Sequence, residues 1–200
     1  MSEVAPRIEY GVASFVKPGN SNSGDLAVVQ FYDGGALLSV IDGVGHGDEA
    51  FIAAQCAKTT IDAHPREPVE VLMQRCHAAL RPTRGAVMSL AAIDLQRGLL
   101  LWLGVGNVQG IVCRSNSNAA PAREELLLRS GVVGAQLPAL RSAAIPICRG
   151  DTLIFTTDGI RSNFANGLTA SAPPHLLAQN ILAQHLQGSD DALVLVARIV

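Results

Sequence analysis

Apolar residues in this chain fall mostly in short runs broken by Gly, Asp and Asn, and helical spacing appears in three places. Residues 7–16 read as a first strand, closed by Lys17-Pro18-Gly19-Asn20. Residues 26–32 and 36–41 flank Asp33-Gly34-Gly35, and Asp-Gly between two apolar runs predicts a hairpin. From 48 to 63 the pattern turns helical, with Phe51, Ile52, Gln55, Cys56, Thr59 and Thr60 recurring at three and four, until His64-Pro65. Residues 69–80 form a second helix, with Val69, Leu72, Met73, Cys76 and Leu80 on one face and Pro82 beyond. Then come strands at 86–95 and 99–105 around Gln96-Arg97-Gly98, and strands at 108–114 and 124–129 around the small, polar loop 115–120. A third hairpin joins 143–148 to 152–157 through Arg149-Gly150-Asp151; a helix at 173–187 and a strand at 192–200 end the chain. Hairpins in series with the helices in blocks predict an α+β fold of two antiparallel sheets packed face to face, helices outside. No repeat and no second domain interrupts residues 1–200.

Composition narrows the class. At 200 residues, 48% hydrophobic and 16% charged, the chain is too apolar for disorder and long enough for one buried core. A formal charge of −2 argues against a protein that works by neutralising many nucleic-acid phosphates. The apolar run at 99–105 is too short to cross a bilayer, and charges and prolines in the first twenty residues argue against a signal peptide. Cys56, Cys76, Cys113 and Cys148 are widely spaced, which fits four reduced thiols in a cytoplasmic protein and no zinc site. Of the 15 cationic side chains 13 are Arg, scattered as surface residues are.

The chemistry lies in the aspartates. Of ten, Asp25, Asp42, Asp158 and Asp190 stand at the mouths of apolar strands, with Asp191 beside the last; Asp33, Asp94 and Asp151 read as turn residues. If the sheets bring the four strand ends together, carboxylates converge with no cluster of Lys or Arg nearby in sequence to compensate them. Mg²⁺ or Mn²⁺ suits such an all-oxygen site. Two ions about 4 Å apart can lower the pKa of a shared water and clamp a phosphoryl group. The glycines of Asp42-Gly43-Val44-Gly45-His46-Gly47 let the backbone come close enough to offer a carbonyl. The same loop could cradle a phosphate before a helix, although it lacks the Lys-Ser/Thr of a P-loop. Each aspartate taken singly also fits a plain turn.

Five segments in order carry a resemblance: Ser23-Gly24-Asp25, Asp42-Gly43-Val44-Gly45-His46-Gly47, Gly104-Val105-Gly106-Asn107-Val108, the run from Gly150-Asp151 to Thr156-Thr157-Asp158-Gly159-Ile160, and Asp190-Asp191 before an apolar strand. Together the chain resembles the metal-dependent PPM (2C-type) serine/threonine protein phosphatases, in the bacterial branch with SpoIIE, RsbU and RsbX. The resemblance implies an αββα sandwich and two Mn²⁺ or Mg²⁺ ions. Asp42 and the Gly43 carbonyl are then metal ligands, with Asp42 bridging. Asp158 and Asp190 bind the second ion, and Asp25 acts directly or through a water. Asp191 supports the ligands or takes the place of Asp190. It also implies in-line attack by a bridging water, and His46 as the candidate general acid. The length, without room for regulatory or membrane segments, matches the stand-alone RsbX-type stressosome phosphatases. The partners implied are phosphorylated STAS-domain scaffold proteins (RsbR and RsbS type), with no nucleic acid and no membrane. The alternatives are a phosphatase-like binding module without turnover and a phosphatase of another phosphoprotein switch.

Three positions depart from the family pattern. Val44 stands where the eukaryotic enzymes carry a His, and Leu193 stands where Ser or Thr often follows the last metal Asp. The eukaryotic phosphate-gripping Arg of the first strand has only Arg7 and Lys17 as candidates.

Overall fold

The computed structural model describes residues 7–116, 119 and 121–200. In chain order it contains β1 (Ile8–Phe15), β2 (Asp25–Tyr32), β3 (Gly35–Gly43), α1 (Asp48–Ala63), α2 (Val69–Leu80), β4 (Ala86–Asp94), β5 (Leu99–Val105), β6 (Gln109–Cys113), β7 (Arg123–Glu125), β8 (Leu128–Arg129), β9 (Ala143–Pro146), β10 (Thr152–Thr156), a 3-10 turn (Ser162–Ala165), α3 (Pro174–His185) and β11 (Ala192–Ile199). One sheet runs β1-β11-β10-β6-β7 and the other β2-β3-β4-β5-β8, with β9 also paired to β5. The pairings are antiparallel apart from the short parallel contact of β5 with β8.

Burial explains the layering. β3 is an almost unbroken apolar run because both of its faces are covered. Leu38 and Val40 point between the sheets, against Phe155, Leu193 and Leu195. Leu37 and Ile41 point the other way, under Ala53, Ala57 and Ile61 of α1 and Leu72 and Met73 of α2. The second sheet turns Ile154, Val194 and Val196 outward beneath Leu177, Ala178 and Ile181 of α3. The result is the expected αββα sandwich. Each fully buried Leu or Ile contributes about 2 kcal/mol of transfer free energy. The four cysteines are free thiols, and burial pushes Cys76 up to about 12. Among the described residues no helix is long and apolar enough to cross a membrane.

Two strand expectations are corrected. Residues 124–129 are not one strand but two, β7 on one sheet and β8 on the other. The chain crosses between sheets there, with Leu126 buried in the interlayer and Leu127 exposed. Residues 143–157 likewise do not form a hairpin: β9 joins β5 while β10 lies between β6 and β11. Ile145 and Ile147 drive this crossing, because both insert into the interlayer core. Asp151, expected as a turn residue, does cap that crossing by accepting the Cys148 N–H at 3.1 Å. It is also a buried anchor, accepting the Ser115 N–H at 2.8 Å and the Arg114 guanidinium at 2.9 Å. Arg114, which also pairs with Glu124, is therefore an interior cation and not a surface one. The loop at 115–120 falls partly on residues 117, 118 and 120, outside the described residues.

Candidate metal centre and cleft

Strand register places the first pair of carboxylates. Asp25 and Asp42 are directly opposed across β2 and β3, the arrangement in which like charges repel most. Glycine permits it. A Cβ on Gly43 would come within 2.0 Å of the Ala50 carbonyl oxygen, and one on Gly24 within 3.0 Å of the Ala50 side chain. The first turn of α1 thus sits directly on the two Asp-bearing strand ends. From the other sheet Asp158 follows β10, and Asp190 and Asp191 precede β11. Gly159 lets these two segments touch: a Cβ there would stand 2.0 Å from the Asp191 carbonyl oxygen.

Asp42, Asp158 and Asp190 line one cleft of about 470 Å³, together with His46, Val44, Gly45, Val87, Gly106, Asn107 and Ser130. Asp25 and Asp191 are buried at 5% and 4% exposure. Every sequence-selected aspartate therefore comes to the same end of the sandwich, with His46 exposed at the cleft. Arg7 does not. It lies at the far end of β1, lining a separate pocket with Ile8, Phe31 and Tyr32. Lys17 contributes its backbone N–H, which donates to Asp191 at 2.8 Å.

Two supporting residues, Thr157 and Asn107, were not singled out from the sequence, and the contacts of Asp191 show how it supports its neighbours. Thr157 donates its hydroxyl to Asp25 at 2.7 Å and accepts the Leu193 N–H at 2.8 Å. The bond that Leu193 cannot make through its side chain is thus made to its backbone by Thr157. Asn107 donates to Asp158 at 2.8 Å. Asp191 accepts the Gly24 N–H at 2.7 Å as well as that of Lys17, so it holds the loop that presents Asp25. The signals were present as the second Thr of Thr156-Thr157-Asp158 and the Asn of Gly106-Asn107, small polar residues at strand ends.

The electrostatics ask for cations. Burial pushes the Asp25 carboxyl up to about 7, partly offset by the Thr157 hydrogen bond and reinforced by Asp191, Asp158 and Asp190. Burial likewise pushes Asp42 up to about 8, with the charges of the other four aspartates adding. Among the described residues none of the five carboxylates has an ion pair with Lys or Arg. Nor do any three His, Cys, Asp or Glu side chains, among the described residues, close tightly enough to hold an ion by themselves. A hard cation fits such an open set, because Mg²⁺ keeps several waters and takes only one or two carboxylates.

A four-layer sandwich with a carboxylate cleft at the strand ends is the architecture of the PPM phosphatases. Residues 32–200 match the family of stage II sporulation protein E (SpoIIE), and the chain belongs to that family and is a phosphatase of the PPM type. The phosphoserine phosphatase RsbX of Bacillus subtilis (strain 168) is 27% identical over 158 residues, 76% of each chain. A solved structure from work on the bacterial stressosome, described as a modular system adapted to control secondary messenger signaling, is 28% identical. It superposes at a TM-score of 0.87, over 96% of this chain and 100% of that one. RsbX in complex with magnesium superposes at 0.85 with 23% identity, over 96% of both chains, and supports the fold.

Proposed function

We propose that this protein, as one domain, is a divalent-metal-dependent phosphoserine/phosphothreonine protein phosphatase. Its substrate would be a phosphorylated STAS-domain scaffold protein of a stressosome. The observation that carries the chemistry is the meeting of Asp42, Asp158 and Asp190 in one cleft with no Lys or Arg among its described lining residues. The similarity to RsbX and to the stressosome-derived structure supports the substrate class.

Asp42, Asp158, Asp190 and the Gly43 carbonyl would hold two Mn²⁺ or Mg²⁺ ions, with Asp25 and Asp191 beneath them. Ions bound there would offset the carboxylates' charge and the phosphoryl charge, and acidify a water for attack on phosphorus. The rest is the work of the chain. Asn107 fixes one oxygen of Asp158, and Thr157 fixes one oxygen of Asp25. Asp191 accepts backbone N–H groups on both oxygens, which supports reading it as a positioning residue. His46, exposed at the cleft, would give a proton to the departing serine or threonine oxygen.

The test is release of phosphate from a purified phosphorylated scaffold protein and from a phosphoserine peptide, with Mn²⁺, with Mg²⁺ and with chelator. Metal-dependent release, faster on the intact scaffold, is expected. Metal-independent release would overturn the metal reading. Equal rates on peptide and scaffold would overturn the scaffold assignment.

A further inference from the structure

The lining of the cleft is acidic. Three carboxylates line it, and among the described residues no Lys or Arg does. A phosphoryl dianion approaching on a protein substrate meets that field first at the rim.

We infer that Arg84 is the residue that receives the substrate's phosphoryl group at the rim of this cleft, with Glu49 holding the guanidinium in place between substrates. This rests on the phosphatase reading above. The guanidinium lies against the cleft-lining glycine Gly45, where a Cβ would stand 2.8 Å from Nη1. Gly45 has φ +97°, so glycine at this position both permits the turn and leaves room for the guanidinium.

The base of Arg84 is fixed to the same loop. The Gly85 carbonyl accepts the Val44 N–H at 3.0 Å. The Thr83 hydroxyl accepts the Gly85 N–H at 3.0 Å and donates to the Leu80 carbonyl at 2.7 Å. A Cβ on Gly85, at φ +82°, would come within 2.6 Å of the Val133 carbonyl oxygen. Residues 83–85 are thus held between the backbone of the 43–47 loop and the end of α2, while the Arg84 side chain is half exposed.

The resting partner is weak. Arg84 pairs with Glu49 in the first turn of α1, with side-chain exposures of 53% and 63%. An exposed pair of this kind holds little free energy. A phosphoryl dianion carries more charge than one carboxylate and matches the planar guanidinium fork in two places. Exchange of Glu49 for a phosphoryl group would trade a weak exposed pair for a charge-assisted, two-point one.

The experiment is calorimetric titration of the Mg²⁺-loaded protein with inorganic phosphate, for wild type, Arg84→Gln, Arg84→Lys and Glu49→Gln. The same preparations are assayed on a phosphoserine peptide and on p-nitrophenyl phosphate. Arg84→Gln is expected to weaken phosphate binding about tenfold or more, the scale of one charge-assisted contact. KM for the peptide should rise more than kcat falls. Arg84→Lys should restore part of the affinity, and Glu49→Gln should tighten binding a few-fold. A pair with no part in phosphate binding would leave phosphate affinity alone in all three variants. The inference is overturned by phosphate affinity in Arg84→Gln within twofold of wild type, or by a wild-type protein that does not bind phosphate. Failure of wild type to turn over p-nitrophenyl phosphate with any metal counts separately, against the phosphatase reading.

Discussion

Asp25 and Asp151 are buried to the same degree, at 5% and 4% exposure, and lie toward opposite ends of the sandwich. Their surroundings have opposite logic. Asp151 is matched by the Arg114 guanidinium and two backbone N–H groups, so its charge is compensated within the fold. Asp25 has one hydroxyl and faces four other carboxylates. One end has a closed polar network that joins the two sheet-crossing segments. The other end leaves an acidic deficit that an external cation fills. Equal burial therefore says nothing about role; the identity of the partner decides it.

The sharpest way to break the contrast is Asp42→Asn. Turnover of p-nitrophenyl phosphate with Mn²⁺ or Mg²⁺ should fall to the limit of detection, while the metal-free protein should melt higher at pH 8 because one repelling charge is gone. Retained turnover would remove Asp42 from the site. At the compensated end the effect runs the other way. Arg114→Met leaves Asp151 and Glu124 without their cation and should cost about 3 kcal/mol in urea unfolding. Activity per folded molecule should be kept, because Arg114 is remote from the cleft.

Acidity comes next in size. Asp25 and Asp42 have folded values near 7 and 8, above the ordinary carboxylate range. A raised folded value contributes stability that is complete below the unfolded pKa and is lost as pH rises through the folded one. The chelated protein should therefore lose Tm steadily between pH 5 and pH 8. Saturating Mg²⁺ or Mn²⁺ should reverse that slope, since a cation favours the ionised carboxylates. A flat chelated profile would contradict the burial of uncompensated charge. The smallest change is Thr157→Val, which removes the hydroxyl shared by Asp25 and Leu193 and should cost about 1–2 kcal/mol. Metal affinity measured by calorimetry should weaken about tenfold, the lower range for a residue behind the ligands.

Much of this was legible in one dimension because it is local. Helical spacing over 48–63, and Pro82 after α2, gave both helices their bounds. The face read in α1 through Phe51, Ile52, Gln55 and Cys56 is not the buried one: Ala50, Ala53, Ala54, Ala57 and Ile61 pack inward while Ile52 and Gln55 are exposed. Asp33-Gly34 gave the β2–β3 hairpin, and that hairpin alone puts Asp25 opposite Asp42. The splits at 124–129 and 143–157 were not legible. Strand periodicity reports that a residue faces a core, and Leu126, Ile145 and Ile147 face the same interlayer core that both sheets share. Nothing in the alternation says to which sheet the backbone then bonds. Thr157 and Asn107 were also missed, because a polar residue at a strand end has the same appearance whether it meets water or a carboxylate.

By itself the sequence determined the element types, the strand-end aspartates, the glycines that let α1 approach them and the absence of nearby compensating cations along the chain. These depend on residues close in sequence, where backbone sterics and periodicity dominate. Only the tertiary structure decided that β10 and β11 deliver Asp158 and Asp190 to the end where β2 and β3 deliver Asp25 and Asp42. It also decided that Arg114 closes one end and that Arg84 stands on Gly45 at the other. Those juxtapositions come from sheet pairing and interlayer packing between segments more than a hundred residues apart in places. A carboxylate's partner there is set by which apolar faces must be buried together.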